Sequence, residues 1–215
     1  MTLISCNPLK DFSLNSITEL YDGKISIAKG MRAGTSHGKE NYLKLTVEEN
    51  TFIASGWLSP ESMANNCAML LLKANPQTFS KIDLLEIEIA NNTSSLFEYR
   101  KQDLYDKDPK HSKIERILDD FVNILEANKI DEAMRFMKSG SNTSMSDLAS
   151  FLKTVKSVLP TKHKDTKLIG YREGSQSEKK YEIDFVVISQ DDVQRMLKAT
   201  LEEDNDGLRF SNITI

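Results

Sequence analysis

The sequence predicts an α+β protein with a β-rich N-terminal domain that contains one helix, followed by a C-terminal domain in which three helices pack on a four-stranded antiparallel sheet. Two observations lead to this prediction. Apolar and polar residues alternate over most of the first hundred residues, as strands require, and the apolar spacing then changes to the three and four residues of a helix. Alternation returns after residue 167, so the last part of the chain is again strand-like.

The N-terminal domain is predicted to begin with strands. Ile25 and Ile27 alternate with polar residues, and the same pattern resumes from Leu43 to Val47 after glycines at 30, 34 and 38. These residues predict two strands joined by a Gly-rich connection. Asn50 is interpreted as a turn into a third strand over 52–57.

One helix is predicted after these strands. Ser59 can cap its first turn, and Pro60 suits the first helical position because its missing N–H has no partner there. Asn75 and Pro76 end the helix, and its small-residue face is expected to pack against a sheet. Two further strands are predicted over 82–89 and 96–99.

A polar, proline-containing segment over 103–112 is the predicted boundary between the domains. The predicted organisation is a tether or disordered N-terminus over 1–16, a β-rich domain over 17–105 and a second domain over 112–215. Three helices follow the boundary: one over 114–125, a short one over 130–137, and one that Ser144 caps and Pro160 ends. Strands are predicted over 167–173, 181–187, 195–202 and 208–215, the last two joined by a turn over 204–207.

This C-terminal order resembles the cone-shaped fold of the nuclear-transport-factor-two-like (cystatin-like) superfamily. The likeness is carried by the segment ANKIDEAMRFMKSG after the long helix, by hairpins that follow the helices, and by the closing hairpin LKATLEEDNDGLRFSNITI. Members often have Trp after the turn glycine, whereas this chain has Leu208 and Phe210 in that region. The resemblance implies a cone-like second domain that binds a ligand or a protein, or an enzyme with an Asp, His or Tyr inside the cone.

The resemblance makes Tyr171, Tyr181 and Asp184 the candidate pocket residues. Alternation with Ile183 and Phe185 places Asp184 on the outer, solvated face, so the predicted ligand-binding residues are Tyr171 and Tyr181. Trp57 is added because an exposed Trp is costly and its indole could line a ligand groove. No catalytic residue is predicted.

Composition excludes several classes of function. The net charge is −4, which argues against nucleic acid as a partner, and no run of eighteen apolar residues occurs. Two cysteines and three histidines, the latter scattered through polar segments, predict neither a metal site nor a cofactor. Cys67 lies in the predicted helix and is expected to be a buried, inert thiol.

The segment from Leu3 to Cys6 resembles a bacterial lipobox, in which the cysteine is lipidated after cleavage. Only five residues precede Cys6, whereas a signal peptide needs a basic segment and an apolar stretch of about 7–15 residues. Two interpretations stay open: translation starts upstream and Cys6 tethers the protein to a membrane, or the match is accidental. The predicted localisation is accordingly either the cell envelope or the cytoplasm.

The sequence therefore favours a bacterial binding or interaction protein without catalytic activity, with a small ligand or a protein as its partner. Two alternatives stay open. One is a cone-fold isomerase or dehydratase that uses a pocket Tyr or Asp as acid and base. The other is a toxin-neutralising or assembly subunit. A homodimer is a further hypothesis, because cone-fold domains often pair through their sheets.

Overall fold

The computed structural model describes residues 13–34, 38–138, 144–174, 179–205 and 207–215. The fold is α+β, as predicted, with two separate four-stranded sheets. The chain divides into two compact units, Met1–Pro109 and Lys110–Ile215. Each unit has its own sheet and is described separately below.

The sheet of the first unit has the strand order β1-β2-β3-β4. Its strands are β1 (Lys24–Gly34), β2 (Gly38–Glu48), β3 (Leu84–Ala90) and β4 (Ser94–Arg100). β1 and β2 are antiparallel, as are β3 and β4, but the central pair β2 and β3 is parallel. A parallel pair needs a long crossover connection, and helices supply it here.

The crossover contains α3 (Pro60–Ala74), the helix that the sequence predicts. Ser59 Oγ accepts a hydrogen bond from the Ser62 backbone N–H, and Pro60 occupies the first turn, so the predicted start is confirmed. Ala64, Cys67 and Ala68 are fully buried, which also confirms the prediction that Cys67 lies in the core. Burial raises the pKa of the Cys67 thiol, because the charged thiolate is disfavoured there.

The prediction of a single helix in this unit was wrong, because the helix Lys101–Glu126 begins in it and, among its described residues, three four-residue helices accompany α3. They are α1 (Asn15–Thr18), α2 (Thr51–Ala54) and α4 (Pro76–Phe79). α2 replaces the strand predicted over 52–57: the Asn50 side chain caps it by accepting from Ile53 N, and Asp22 Oδ2 accepts from Thr51 Oγ1 at 2.5 Å. A one-turn helix is too short to show helical periodicity, so the sequence pattern does not reveal it.

The polar segment predicted as a boundary is helical. α5 (Lys101–Glu126) runs through it, with Pro109 inside the helix, and the division between the units falls directly after Pro109. Leu104 and His111 are both buried, seven residues apart, and extend the apolar stripe of Ile114 and Leu118 towards the N-terminus. The sequence pattern does not reveal this stripe, because Pro109 is a helix-breaking residue and His111 is a polar one.

The second unit continues with helices and then an antiparallel sheet. Its further helical segments are α6 (Ile130–Ala133), a 3₁₀ turn (Met134–Phe136) and α7 (Met145–Val158). Ser144 caps α7, as predicted, by accepting from Asp147 N. The strands β5 (His163–Glu173), β6 (Lys180–Ser189), β7 (Gln194–Asp204) and β8 (Gly207–Thr214) pair in sequence order, all antiparallel.

One face of the second sheet packs on α5, and we call it the inner face. Phe210 lies 4.6 Å, centroid to centroid, from Phe121 of α5. Cross-strand register places the following buried side chains on the same face: Tyr171, Tyr181, Ile183, Phe185, Val187, Leu197 and Leu201. The predicted order of helices followed by a four-stranded antiparallel sheet is therefore confirmed for this unit, with α6 and the 3₁₀ turn in place of the second predicted helix.

Among the described residues, no helix has both the length and the apolar character needed to cross a membrane.

Candidate functional site

A groove of about 610 Å³ opens at one end of the second unit, where α7 ends. We call it the α7 groove. Its walls come from the end of α7 and the connection after it, from the turn between β6 and β7, from the start of β7 and from the last residue. The lining residues are Ser157, Val158, Leu159, Pro160, Thr161, Ser189, Asp191, Val193, Arg195 and Ile215.

The end of α7 forms one side of this groove because the local sequence stops the helix there. Leu159 has extended backbone angles, as the residue before a proline prefers, and Pro160 cannot continue the helical hydrogen bonding. Lys162 then adopts a positive φ of 59°, and β5 begins at His163. The Lys162 carbonyl accepts from Gln190 N at 2.9 Å, which ties this connection to the opposite side.

The turn between β6 and β7 forms the opposite side and is held by Ser189. Ser189 Oγ accepts hydrogen bonds from the backbone N–H groups of Asp191 at 3.2 Å and Val193 at 3.0 Å. Ser189 N also donates to Val193 O at 2.9 Å. Lys164 Nζ lies 2.8 Å from Asp192 Oδ1, and this carboxylate raises the pKa of Lys164. The turn therefore has a defined shape without any contribution from the Asp191 side chain.

The groove combines apolar walls with two charged side chains of opposite sign. Val193 is 48% exposed and Ile215 is 52% exposed, although both are apolar. Arg195 and Asp191 are the charged lining residues. Within the described residues neither of them takes part in an ion pair. The arrangement can accept a ligand that has an apolar body and charged ends.

The predicted ligand residues Tyr171 and Tyr181 lie elsewhere in the second unit, close to each other on the inner face of the sheet. Their exposed fractions are 1% and 3%, so both are core residues rather than lining of the α7 groove. The Tyr171 ring meets the His111 ring edge-on at 5.3 Å. Lys110 Nζ lies 5.4 Å from the centre of the Tyr181 ring, and its hydrogen bond to Tyr181 raises the pKa of Lys110.

The other residues singled out from the sequence are not brought to this groove. Trp57 is half-buried in the first unit, where its backbone N–H donates to Phe52 O at 3.0 Å. Asp184 lies on the outer face of the second sheet, with its carboxylate 3.4 Å from Lys198 Nζ. Cys6 lies outside the described residues.

Two of the histidines differ from the expectation of polar segments. His111 is fully buried within α5, with its Nδ1 3.5 Å from Glu115 Oε2. His163 begins β5, and its Nε2 is 2.8 Å from Thr166 Oγ1. Among the residues that the structure describes, no group of three or more His, Cys, Asp or Glu could hold a metal ion.

Among the described residues, a cluster of seven charged side chains lies on the first sheet, on the face opposite Leu43, Leu45 and Val47. We call it the charged face. Its members alternate with those core residues along the strands and face one another across them. They are Arg32, Glu40, Lys44, Glu86, Glu88, Glu98 and Arg100.

Every described ion pair of the charged face joins two of its own members. Arg32 contacts Glu40, Glu86 and Glu98 at 3.0–3.1 Å. Arg100 Nη1 lies 2.5 Å from Glu40 Oε1, and these hydrogen bonds from Arg100 and then Arg32 lower the pKa of Glu40.

Lys44 Nζ lies 2.8 Å from Glu88 Oε2 and likewise lowers the pKa of Glu88. Cross-strand cations therefore engage both Glu86 and Glu88. The charges of this face pair with one another.

Sequence reasoning missed the residues of the α7 groove, although two signals were present. The inward positions of β7 read Arg195, Leu197, Ala199 and Leu201, so a cation continues an apolar face. The helix ends in Leu159-Pro160, which leaves apolar residues outside any regular element. Only the fold brings these two signals to one place.

The chain matches no protein-family model, and a comparison with curated proteins gives no significant match. The geometry of the α7 groove therefore carries the functional inference.

Proposed function

We propose that this chain is a binding protein without catalytic activity and that the α7 groove is its binding site. The observation that carries the proposal is a recess of about 610 Å³ in which apolar side chains stand beside two charged ones. Ligand sites in proteins are typically concavities of about 300–1,000 Å³ with mostly apolar walls and a few polar groups that orient the ligand. The α7 groove has this size, and five of its ten lining residues are apolar.

Exposure of the apolar walls supports the proposal. Val193 and Ile215 each leave about half of their surface open to water, and they lie in the same recess as Val158, Leu159 and Pro160. Exposed apolar residues that cluster with a polar rim are typical of binding surfaces, because burial against a ligand removes them from water. The resemblance to a superfamily rich in ligand-binding modules points in the same direction.

The chemistry of the second unit also favours binding. The carboxyl group of Glu202 pairs with Lys138, and this hydrogen bond lowers the pKa of Glu202. A general acid needs the opposite shift, towards neutrality near pH 7. Arg172 and Glu182 similarly pair with each other across β5 and β6. These groups stabilise the sheet through their pairing.

A fluorescence titration with 8-anilino-1-naphthalenesulfonate tests the proposal. We expect saturable binding to the wild type, because the dye pairs an apolar ring system with one negative charge. Val193→Asp introduces a charge into the apolar wall and should abolish the signal. The matched control is Met145→Asp, which places the same charge at an exposed apolar residue at the opposite end of α7, about 20 Å away.

Circular dichroism must show that both variants keep the wild-type fold. Equal dye binding by Val193→Asp and the wild type would place the dye outside the groove and contradict the proposal. Loss of binding in both variants would contradict it too, since the effect would then not depend on the groove.

A further inference from the structure

Arg195 interrupts the apolar inner face of the second sheet. It lies opposite Val187 on the neighbouring strand, and the next two inward positions of its own strand, Leu197 and Ala199, are buried. Among the described residues Arg195 has no ion-pair partner, whereas Arg172 of the same sheet pairs with Glu182. A guanidinium group presents a planar fork of N–H donors that matches the two oxygens of a carboxylate. Arg195 is therefore available to bind a carboxylate in the groove.

Asp191 supplies the opposite charge in the turn beyond the strand. Its carboxylate forms no ion pair within the described part of the chain, whereas the adjacent Asp192 pairs with Lys164. The groove also contains the C-terminal end of α7, where unpaired backbone carbonyls carry partial negative charge. The basic side chain of that last turn, Lys156, donates to Asn128 Oδ1 at 2.7 Å. This side of the groove therefore suits an ammonium group.

Two of the three hydroxyl groups in the lining, those of Ser157 and Ser189, are already engaged by the protein. Ser157 Oγ donates to the Thr154 carbonyl at 2.8 Å. Ser189 Oγ accepts from two backbone N–H groups of its own turn. The two opposite charges, the apolar walls and the Thr161 hydroxyl are therefore the features through which the groove can select a ligand.

We infer that the α7 groove binds a short apolar peptide whose two termini are both free. The peptide carboxylate pairs with Arg195, the peptide ammonium pairs with Asp191 and the end of α7, and the apolar side chains cover Val193 and Ile215. This inference rests on the proposed binding function and specifies its ligand. Charge complementarity decides it, because a zwitterion satisfies both charges of the groove, whereas a ligand with one charge leaves the other without a partner.

Calorimetric titration of the full chain with the tripeptide Val-Leu-Val tests the inference. Two blocked versions complete the set: the C-terminal amide lacks the carboxylate, and the N-acetyl form lacks the ammonium. We expect each blocked peptide to bind about two- to fivefold more weakly than the free peptide, the range for ion pairs that stay open to water.

Charge-neutral variants test which groove residue binds which end of the peptide. Arg195→Gln should remove the preference for the free carboxylate and keep the preference for the free ammonium, whereas Asp191→Asn should do the reverse. Arg172→Gln is the matched control, since its guanidinium pairs with Glu182 outside the groove, and it should bind all three peptides as the wild type does.

The outcomes separate this inference from the proposed function. Equal affinity for the free and blocked peptides, or unchanged preferences in the two variants, would overturn the inference. Binding of the naphthalenesulfonate dye with no binding of any peptide would also overturn it while leaving the binding function intact. If neither dye nor peptide binds, the proposed function fails as well.

Discussion

The charged face of the first sheet and the α7 groove of the second unit use charge in opposite ways. On the charged face, cations and carboxylates alternate across the strands, and Arg32 alone contacts three glutamates. In the groove, Arg195 and Asp191 stand beside apolar walls, and the described residues give neither an ion-pair partner.

The difference teaches that the number of charges in a region does not identify a site. The charged face has more titratable groups, but each of its described ion pairs joins two members of the same face. The groove has two charged residues, Arg195 and Asp191, to which the described residues supply no ion-pair partner. Charges of this kind next to exposed apolar surface indicate binding.

The largest expected effect is the loss of stability when a buried core side chain of either unit is truncated. Phe210→Ala removes a fully buried ring that packs on Phe121, so it should destabilise the second unit by about 3–5 kcal/mol. Leu45→Ala, at an equally buried position of the first sheet, should destabilise the first unit by about 2–5 kcal/mol. Denaturant unfolding followed by circular dichroism measures both.

Trp57 makes this comparison sharper, because it is the one tryptophan of the chain and lies in the first unit. We expect Leu45→Ala to move the fluorescence transition of Trp57 to lower denaturant, and Phe210→Ala to leave it nearly in place. An equal shift of that transition by both substitutions would mean that the two cores unfold as one.

A smaller effect is expected at two helix N-termini, one in each unit, where a serine side chain caps the helix. Ser59→Ala in the first unit and Ser144→Ala in the second each remove a hydroxyl that accepts a backbone N–H at 3.1 Å. Each should cost about 1 kcal/mol of the free energy of unfolding, measured by denaturant titration. Aspartate and asparagine also cap well, so Ser59→Asp should retain wild-type stability. At Ser144 the neutral Ser144→Asn is the matched variant, because the hydroxyl also donates to the Asp147 carboxylate at 2.6 Å. A loss as large as that of alanine in either variant would contradict the capping role.

The smallest effect is expected at the charged face, where water screens the arginines that pair with Glu40. Because Arg100 and Arg32 lower the pKa of Glu40 below its ordinary value of 4.5, the carboxylate stabilises the fold above that pH. This contribution is lost as the pH falls through the lowered pKa of the folded state. Glu40→Gln should therefore lower the melting temperature at pH 7, and the difference from the wild type should shrink in acid.

Glu49→Gln provides the control for this pH series. Glu49 pairs with Lys24, but both side chains are more than two-thirds exposed, so this variant should melt like the wild type at every pH. A wild-type-to-Glu40→Gln difference that stays constant down to pH 2 would show that the pairing with the two arginines does not stabilise the fold.

Much of the fold follows from local patterns. The capped start of α3, the capped start of α7 and the alternating strands of the second sheet are all visible in the sequence, because each depends on neighbouring residues. What local patterns do not contain is pairing over distance. The parallel pairing of β2 with β3 was not predicted, because alternation indicates a strand but not its neighbour.

The candidate site was less predictable for the same reason. Trp57, Tyr171 and Tyr181 attract attention as aromatic residues, yet two of them are buried core and the third lies in the other unit from the groove. Arg195 and Asp191 become notable only when the fold places them beside the end of α7. Their significance is a property of tertiary structure that spacing along the chain does not encode.

The parallel pair at the centre of the first sheet has a consequence for the order of events during folding. Each strand of the second sheet pairs with the next one along the chain, so its hairpins close short loops. In the first sheet the chain must pass from Glu48 through three helices to Leu84 before β2 and β3 can meet, which carries a larger loop-closure entropy. We therefore expect the second unit to acquire its sheet faster, although the ribosome completes the first unit earlier. During synthesis, the apolar side chains of β2 therefore stay without β3 over a longer stretch of chain than separates any two paired strands of the second sheet.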